Sequence, residues 1–246
     1  MTADHNGADD GFYGPSRHAQ PFPYWDRRRL IGEWDVDESV ERIVNYKWAE
    51  EQLSAALGGW GATIPELDVK AVIGRHCYQH AWHADLWRKR LPELRETNED
   101  RADPPNEAFR RFMDELTGPD AHDQTIEKLV GVYRVLLPHL LAVYTFHQHV
   151  TSDIVDAPTV RLLKFILDDD HTQLVEAEML IQDLARTAAL RRRAGEWQTH
   201  LDVLLAESGG VCGPTTLLSE AKIAKPGPAV LGAALRDKRE AAVGVR

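Results

Sequence analysis

One segment of the chain, residues 129–150, is apolar on nearly every side of a helix. It reads LVGVYRVLLPHLLAVYTFHQHV. A helix without a polar face has to be enclosed by other elements, so this segment predicts the central helix of a helical fold. Pro138 lies inside it and is expected to kink the helix or leave a carbonyl unpaired, because proline has no N–H to donate.

Start and stop signals divide the rest of the chain into further helices, and no stretch alternates as a β-strand does. Four helices are long and form two pairs with a long connection between them. This predicts an all-α fold, an antiparallel four-helix bundle with additional short helices. The predicted helices are 40–57 (after an Asp35–Glu38 capping box and before Gly58-Gly59), 63–91 (opened by a Thr63–Glu66 capping box), 106–116, a long helix from 123, 156–195 and 196–206.

Charge and cysteine content limit the function classes. The 246 residues carry a net charge of −10 and two distant cysteines, Cys77 and Cys212. An acidic chain is not expected to bind nucleic acid or an acidic membrane surface. The cysteine usage, with no recognisable signal peptide or membrane-spanning run, predicts a cytoplasmic protein. We expect a small-molecule substrate and a homodimer as its partners.

Composition divides the chain into three parts. Residues 1–37 include PFPYWDRRRLIGEW and are rich in proline, glycine and aromatic residues. They are predicted to form an arm packed on one end of the bundle. Residues 38–210 are predicted to form the bundle itself, and residues 211–246 an irregular tail.

Three histidines follow one face of the second predicted helix. His76, His80 and His83 are spaced by four and three residues, on a stripe that begins at Ile73 and ends at Trp87. Side chains at these spacings lie one above another on a helix. The stripe predicts either metal ligands, or a polar lining that pairs with acids or faces a small-molecule pocket.

Matching spacings occur in the two halves of the chain. Glu51 precedes His80 by 29 residues, and His139 precedes Asp168 by 29 residues. Asp168-x-x-His171 has the acid-x-x-His spacing used by dinuclear metal sites in helix bundles. His139 lies in the apolar run LLPHLLAV, where an unpaired imidazole would be costly.

Two register choices stay open. Glu50 and Glu51 are adjacent and cannot both point inward. On the fourth long helix, Asp170 shares an apolar stripe with Leu163 and Ile166. Asp170-x-x-Gln173 is therefore the alternative to the pair at 168 and 171.

These residues resemble the ferritin-like superfamily of diiron-carboxylate bundles. VYRVLLPHLLAVY and DAPTVRLLKFILDDDHTQLVEAE are similar to uncharacterised bacterial ferritin-like proteins, over roughly residues 38–190. The family pattern is Glu and then Glu-x-x-His in each half. Here His80 and His139 stand at positions of the family's glutamates, so the metal motif is degenerate.

The resemblance implies a metal-dependent oxidoreductase acting on a small organic substrate, with iron, dinuclear or not, or another divalent metal. A metal-free lyase, cyclase or isomerase and a non-catalytic binding bundle are the alternatives. His76, His80 and His139 are the predicted catalytic residues. The predicted metal ligands are Glu51, His80, His83, His139, Asp168 and His171.

Overall fold

The computed structural model describes residues 34–215, and the predicted arm up to residue 33 and tail from residue 216 lie outside the described residues. Within 34–215 the protein is all-α and has no strand, which confirms the predicted class. The helices are α1 Val36–Thr63, α2 Leu67–Arg90, α3 Glu107–Thr117, α4 Thr125–Val150, α5 Ala157–Leu184 and α6 Ala188–Ser208, with 3-10 turns at Pro92–Leu94 and Gly213–Thr215.

The four long helices α1, α2, α4 and α5 surround a common interior. α1 packs along α2, α4 along α5, and α2 against α5. α1 also lies next to α4, where the centres of the Tyr46 and Tyr144 aromatic rings are 4.9 Å apart, so the four helices enclose the interior. α3 and α6 pack together on the outer side of α4.

The pairing of α2 with α5 fixes which residues lie at the same level. Arg75 lies 2.7 Å from Glu176, and His83 lies 3.1 Å from Asp169. Residue numbers therefore rise on α2 as they fall on α5, and the two helices are antiparallel.

The ends of α1 and α2 differ in part from the prediction. The Asp35 side chain caps α1 by accepting from Glu38 N at 2.8 Å, as predicted. The glycine pair at 58–59 does not end α1, which continues until Ile64 turns extended, as expected for a residue before proline. The predicted capping box at Thr63–Glu66 is wrong, because Glu66 makes no side-chain cap bond to α2.

The fifth and sixth helices divide earlier than predicted. α5 ends at Leu184, and the Thr187 hydroxyl caps α6 by accepting from Leu190 N at 3.2 Å. Gly195, the predicted end of the long helix, lies within α6 with open space beside it. α6 ends at Gly209, whose φ of 78° is the left-handed conformation that favours glycine.

Helix α4 is the central helix, as the sequence predicts. By length and composition alone it could cross a membrane, but 67% of its most apolar window is buried inside the protein. Residues Gly131–Leu136 form a π-helical turn just before Pro138, and Leu137 N–H bonds to Val132 O, five residues back. The wider turn absorbs the backbone irregularity that proline imposes.

The C-terminal end of the described chain packs into the core. Val211 and Cys212 are buried, at 0% and 6% exposure. Residues 211 and 212 of the predicted tail therefore lie in the core.

Candidate metal centre

Three potential metal ligands meet in the interior between α1 and α2. Glu50 comes from α1, and His80 and His83 come from successive turns of α2. All three have 0% exposure. One ligand atom of each lies within 4.8 Å of the other two. We refer to Glu50, His80 and His83 as the metal triad.

The triad distances are close to those around a single ion. Glu50 Oε2 lies 2.6 Å from His80 Nδ1 and 3.7 Å from His83 Nδ1. Ligands bound at about 2.0–2.2 Å place neighbouring ligand atoms about 3–3.5 Å apart. The two observed distances bracket that range, so small side-chain movements would bring all three groups to one ion.

Helices α4 and α5 complete the surroundings of the triad. The Tyr144 hydroxyl donates to Glu50 Oε1 at 2.7 Å. Asp170 and Gln173 on α5 are fully buried, and Asp170 Oδ1 lies 3.7 Å from His83 Nδ1. The centre is therefore assembled from four helices.

Several buried polar atoms of the centre have no hydrogen-bond partner among the described residues. They are His80 Nε2, His83 Nδ1, both carboxylate oxygens of Asp170, and both amide atoms of Gln173. A buried polar atom without a partner costs about 1–3 kcal/mol. Their concentration around the triad indicates a place for an ion or a small polar molecule.

Electrostatics separate the two buried acids. Burial alone would raise the pKa of Glu50, but the His80 and His83 imidazoles outweigh it and hold that pKa below its ordinary value. Burial and then the charge of Glu50 raise the pKa of Asp170 well above its ordinary value. Burial would lower the pKa of His83, but Glu50, Asp170 and Asp169 together raise it to about 9. Glu50 is thus the carboxylate poised to be an anionic ligand.

Replacing Asp170 is expected to stabilise the metal-free protein. An acid whose pKa is raised by folding makes the folded protein less stable as the pH rises above the pKa of that acid in the unfolded chain, near 3.9. Asp170→Asn does not titrate and should therefore raise the free energy of unfolding by about 1–3 kcal/mol more at pH 7 than at pH 4. Chelator-treated protein would be unfolded in urea at pH 4 and pH 7. A gain as large at pH 4 as at pH 7 would contradict the buried-charge explanation.

The structure brings together some of the predicted site residues and not others. His80 and His83 lie in the triad, but Glu50 joins them in place of Glu51, which pairs with Lys47 at 2.9 Å near the surface. Asp168 and His171 are exposed on the outer face of α5. On that helix the alternative register, Asp170 with Gln173, faces the centre.

His139 lies away from the triad. Its Nε2 accepts from the backbone N–H of Val211 at 3.0 Å, so it holds the C-terminal end of the described chain against α4. His76 lies one turn from His80 and bonds to Tyr133 and Glu176 instead of the triad.

His139 predicts a loss of stability in acid. Burial lowers its pKa to about 4, against about 6.5 in an unfolded chain. Between these values the unfolded chain takes up a proton that the fold excludes, so stability falls as the pH drops, by about 2–3 kcal/mol for this group. His139→Gln keeps an acceptor without titrating. Urea unfolding at pH 7 and 4.5 should show a smaller loss in the variant; equal losses would contradict this role.

Comparisons of the chain with family models, with curated proteins and with solved structures give no match. The donor set itself indicates the chemistry of the centre. Two imidazoles and a carboxylate form the ligand set that non-haem Fe(II) sites use, and the same groups also suit zinc or manganese.

Tyr144 and Glu176 are polar partners that the sequence analysis missed. Both lie on helices whose positions depend on long-range packing. Glu50 had a local signal, since it shares a stripe of spacing three and four with Ile43, Tyr46, Leu53 and Leu57, all at 0–1% exposure.

Proposed function

We propose that the protein is a ferritin-like metal-dependent oxidoreductase that holds one divalent metal ion at the metal triad and acts on a small organic substrate. The observation that carries this proposal is the convergence of three buried ligand groups beside Asp170 and Gln173, whose side-chain polar atoms have no hydrogen-bond partner among the described residues. The antiparallel pairing of long helices and the ligand pair at i and i+3 on α2 support the ferritin-like assignment.

A single metal ion suits the centre better than a pair. In one half, Glu50 precedes His80 by 30 residues; at the same spacing before Asp170, the chain has Leu140. α4 therefore offers no carboxylate at the matching position, and Tyr144 bonds to Glu50 instead. Two histidines and one carboxylate would leave coordination positions of a bound ion open, and the unpartnered atoms of Asp170 and Gln173 mark the open side of the centre. A two-histidine, one-carboxylate set with open positions is the one that non-haem Fe(II) sites use.

Each surrounding residue has a role in this proposal. Tyr144 orients the Glu50 carboxylate through its 2.7 Å hydrogen bond. Asp170 and Gln173 supply hydrogen-bonding groups for a small molecule bound at the open side. Complete burial of the triad excludes bulk water. Bound Fe(II) would supply electrons for the reduction of dioxygen.

Metal titration of ligand variants tests the binding site. Anaerobic Fe(II) titration of chelator-treated protein should saturate at one ion per chain. His80→Ala and His83→Ala should weaken binding by at least about 10-fold, because each removes a ligand. His171→Ala and Asp168→Asn are matched controls on the outer face of α5 and should bind as the wild type does. Equal losses in the controls would place the metal elsewhere.

The rate of Fe(II) oxidation in air tests the oxidoreductase assignment. Fe(II)-loaded protein should oxidise its iron in air faster than free Fe(II) at the same concentration and pH, and His83→Ala should remove the acceleration. Iron that binds to the triad without faster oxidation would contradict the oxidoreductase and indicate a non-catalytic metal-binding bundle.

A metal-free acid–base enzyme is the second candidate. The Glu50 carboxylate orients His80 through a 2.6 Å bond to Nδ1, and Nε2 has no partner among the described residues. A carboxylate-oriented imidazole with a free nitrogen can act as a general base. This candidate gains support if titration shows no metal uptake by the wild type.

A further inference from the structure

A chain of hydrogen bonds connects the interior to the surface beside the metal triad. His76 is fully buried and Tyr133 is 1% exposed. His76 Nδ1 lies 2.7 Å from the Tyr133 hydroxyl, and His76 Nε2 lies 3.0 Å from Glu176 Oε2. The Glu176 side chain is 35% exposed and pairs with Arg75 at 2.7 Å. Glu176 is therefore the end of the chain that reaches solvent.

The chain of hydrogen bonds lies in the layer next to the triad. His76 and His80 are one turn apart on the same face of α2, about 6 Å along the helix axis. On α5, Glu176 is followed in the direction of the centre by Gln173 and then Asp170. The antiparallel register places Gln173 level with His80, so these two residues lie between the hydrogen-bond chain and the open side of the centre.

The backbone places Tyr133 for this contact. It lies in the π-helical turn Gly131–Leu136 of α4. Such a turn rotates side chains away from their regular helical direction, and π-helical turns occur frequently at functional sites. The remainder of α4 is regular α-helix.

We propose that Tyr133, His76 and Glu176 form the solvent-side part of a proton-transfer path that begins one helical turn from the buried metal triad. The purpose of the path rests on the proposed metal site: metal binding displaces protons from ligating groups. The triad is fully buried, so a displaced proton needs a route out.

The hydrogen-bond polarity gives the direction of transfer. The Glu176 carboxylate can only accept, so His76 Nε2 carries the hydrogen and Nδ1 accepts from the Tyr133 hydroxyl. In one transfer, the proton displaced in the interior moves to the Tyr133 oxygen as the Tyr133 proton moves to Nδ1 and the Nε2 proton moves to Glu176. No buried tyrosinate forms, as is required because burial raises the pKa of Tyr133 far above its ordinary value. Glu176 releases its proton to solvent, and a flip of the His76 ring returns the hydrogen to Nε2. One proton leaves, and every group regains its starting charge and tautomer.

The resting state of His76 suits this role. Burial lowers its pKa to about 4, although the hydrogen bond to Glu176 opposes the shift. The ring is therefore neutral near pH 7 and has one donor and one acceptor nitrogen, as a relay requires.

Proton exchange in the metal-free protein tests the path without any need for activity. Nuclear magnetic resonance would measure the exchange of the Tyr133 hydroxyl and His76 ring hydrogens with solvent. Glu176→Gln should slow that exchange by at least about 10-fold, because the amide cannot take up and release the proton. Glu178→Gln is the matched control: Glu178 lies half a turn away, pairs with Arg134 at 2.7 Å and has no histidine partner in the part of the chain that the structure describes. It should exchange as the wild type does.

The rate of metal uptake separates this proposal from the metal site itself. Stopped-flow Fe(II) binding should be slower in Glu176→Gln with unchanged affinity, and Glu176→Asp should recover part of the rate. Wild-type hydrogen exchange in both Glu176→Gln and Glu176→Ala would overturn the path even if metal binds. Absence of metal binding with slowed exchange would instead reject the metal site and leave the path as a route for protons alone.

Discussion

Glu50→Gln is expected to destabilise the metal-free protein by about 3–5 kcal/mol, since removal of one member of a buried charged group leaves its partner uncompensated. The partners are His80 at 2.6 Å and His83 at 3.7 Å. The pKa of His83, raised to about 9, makes it a cation near pH 7. Without the Glu50 charge, that cation lies beside a neutral amide, and the carboxylates still near it are the partly exposed Asp169 at 3.1 Å and Asp170 at 3.7 Å. Urea unfolding of chelator-treated protein at pH 7 measures the loss.

The adjacent glutamate provides a matched control. Glu51→Gln removes the same charge from the same helix, but Glu51 is 41% exposed and its ion-pair partner within residues 34–215 is Lys47. An exposed pair of this kind contributes about 0–1 kcal/mol. Similar losses for the two variants would mean that Glu50 is not held in a buried charge cluster.

Metal binding is expected to raise the stability of the wild type by a comparable amount. An ion that binds only the folded state contributes about 4 kcal/mol to the free energy of unfolding when its free concentration is 1,000 times Kd. The stabilisation should grow with the logarithm of the metal concentration. Unfolding curves with increasing Co(II) or Fe(II), recorded without oxygen, measure it.

The same measurement on variants assigns the stabilisation to the triad. His80→Ala with His83→Ala should remove nearly all of it, because one carboxylate remains. His122→Ala controls for binding to surface histidines, since His122 is exposed and bonds to Thr63 O. Full metal stabilisation of the double variant would contradict the assigned ligands.

The sequence predicts the parts of the fold that depend on local patterns. The apolar run 129–150 marks the central helix, and Asp35 marks the start of α1. Local patterns do not predict the break between α5 and α6 after Leu184, because a single threonine cap, Thr187, is a weak signal within a long polar stretch. The glycine pair at 58–59 was misleading because a helix can continue through glycine when no left-handed turn follows.

The candidate site is predicted only in part for a related reason. His80 and His83 follow from spacing on one helix. Equal spacing in the two halves of the chain favours Glu51 and Asp168. The apolar stripes of α1 and α5, whose residues are buried, favour Glu50 and Asp170 instead. The partner of His139, Val211, lies 72 residues further along the chain. Local periodicity carries no information about such a contact.

Elemental analysis of protein purified without an affinity tag or a chelator tests the metal site most directly. The proposed centre predicts about one equivalent of iron or another divalent metal per chain, reduced in His83→Ala and unchanged in His171→Ala. Less than about a tenth of an equivalent of iron, manganese, zinc and copper combined, not restored by added metal, would contradict it.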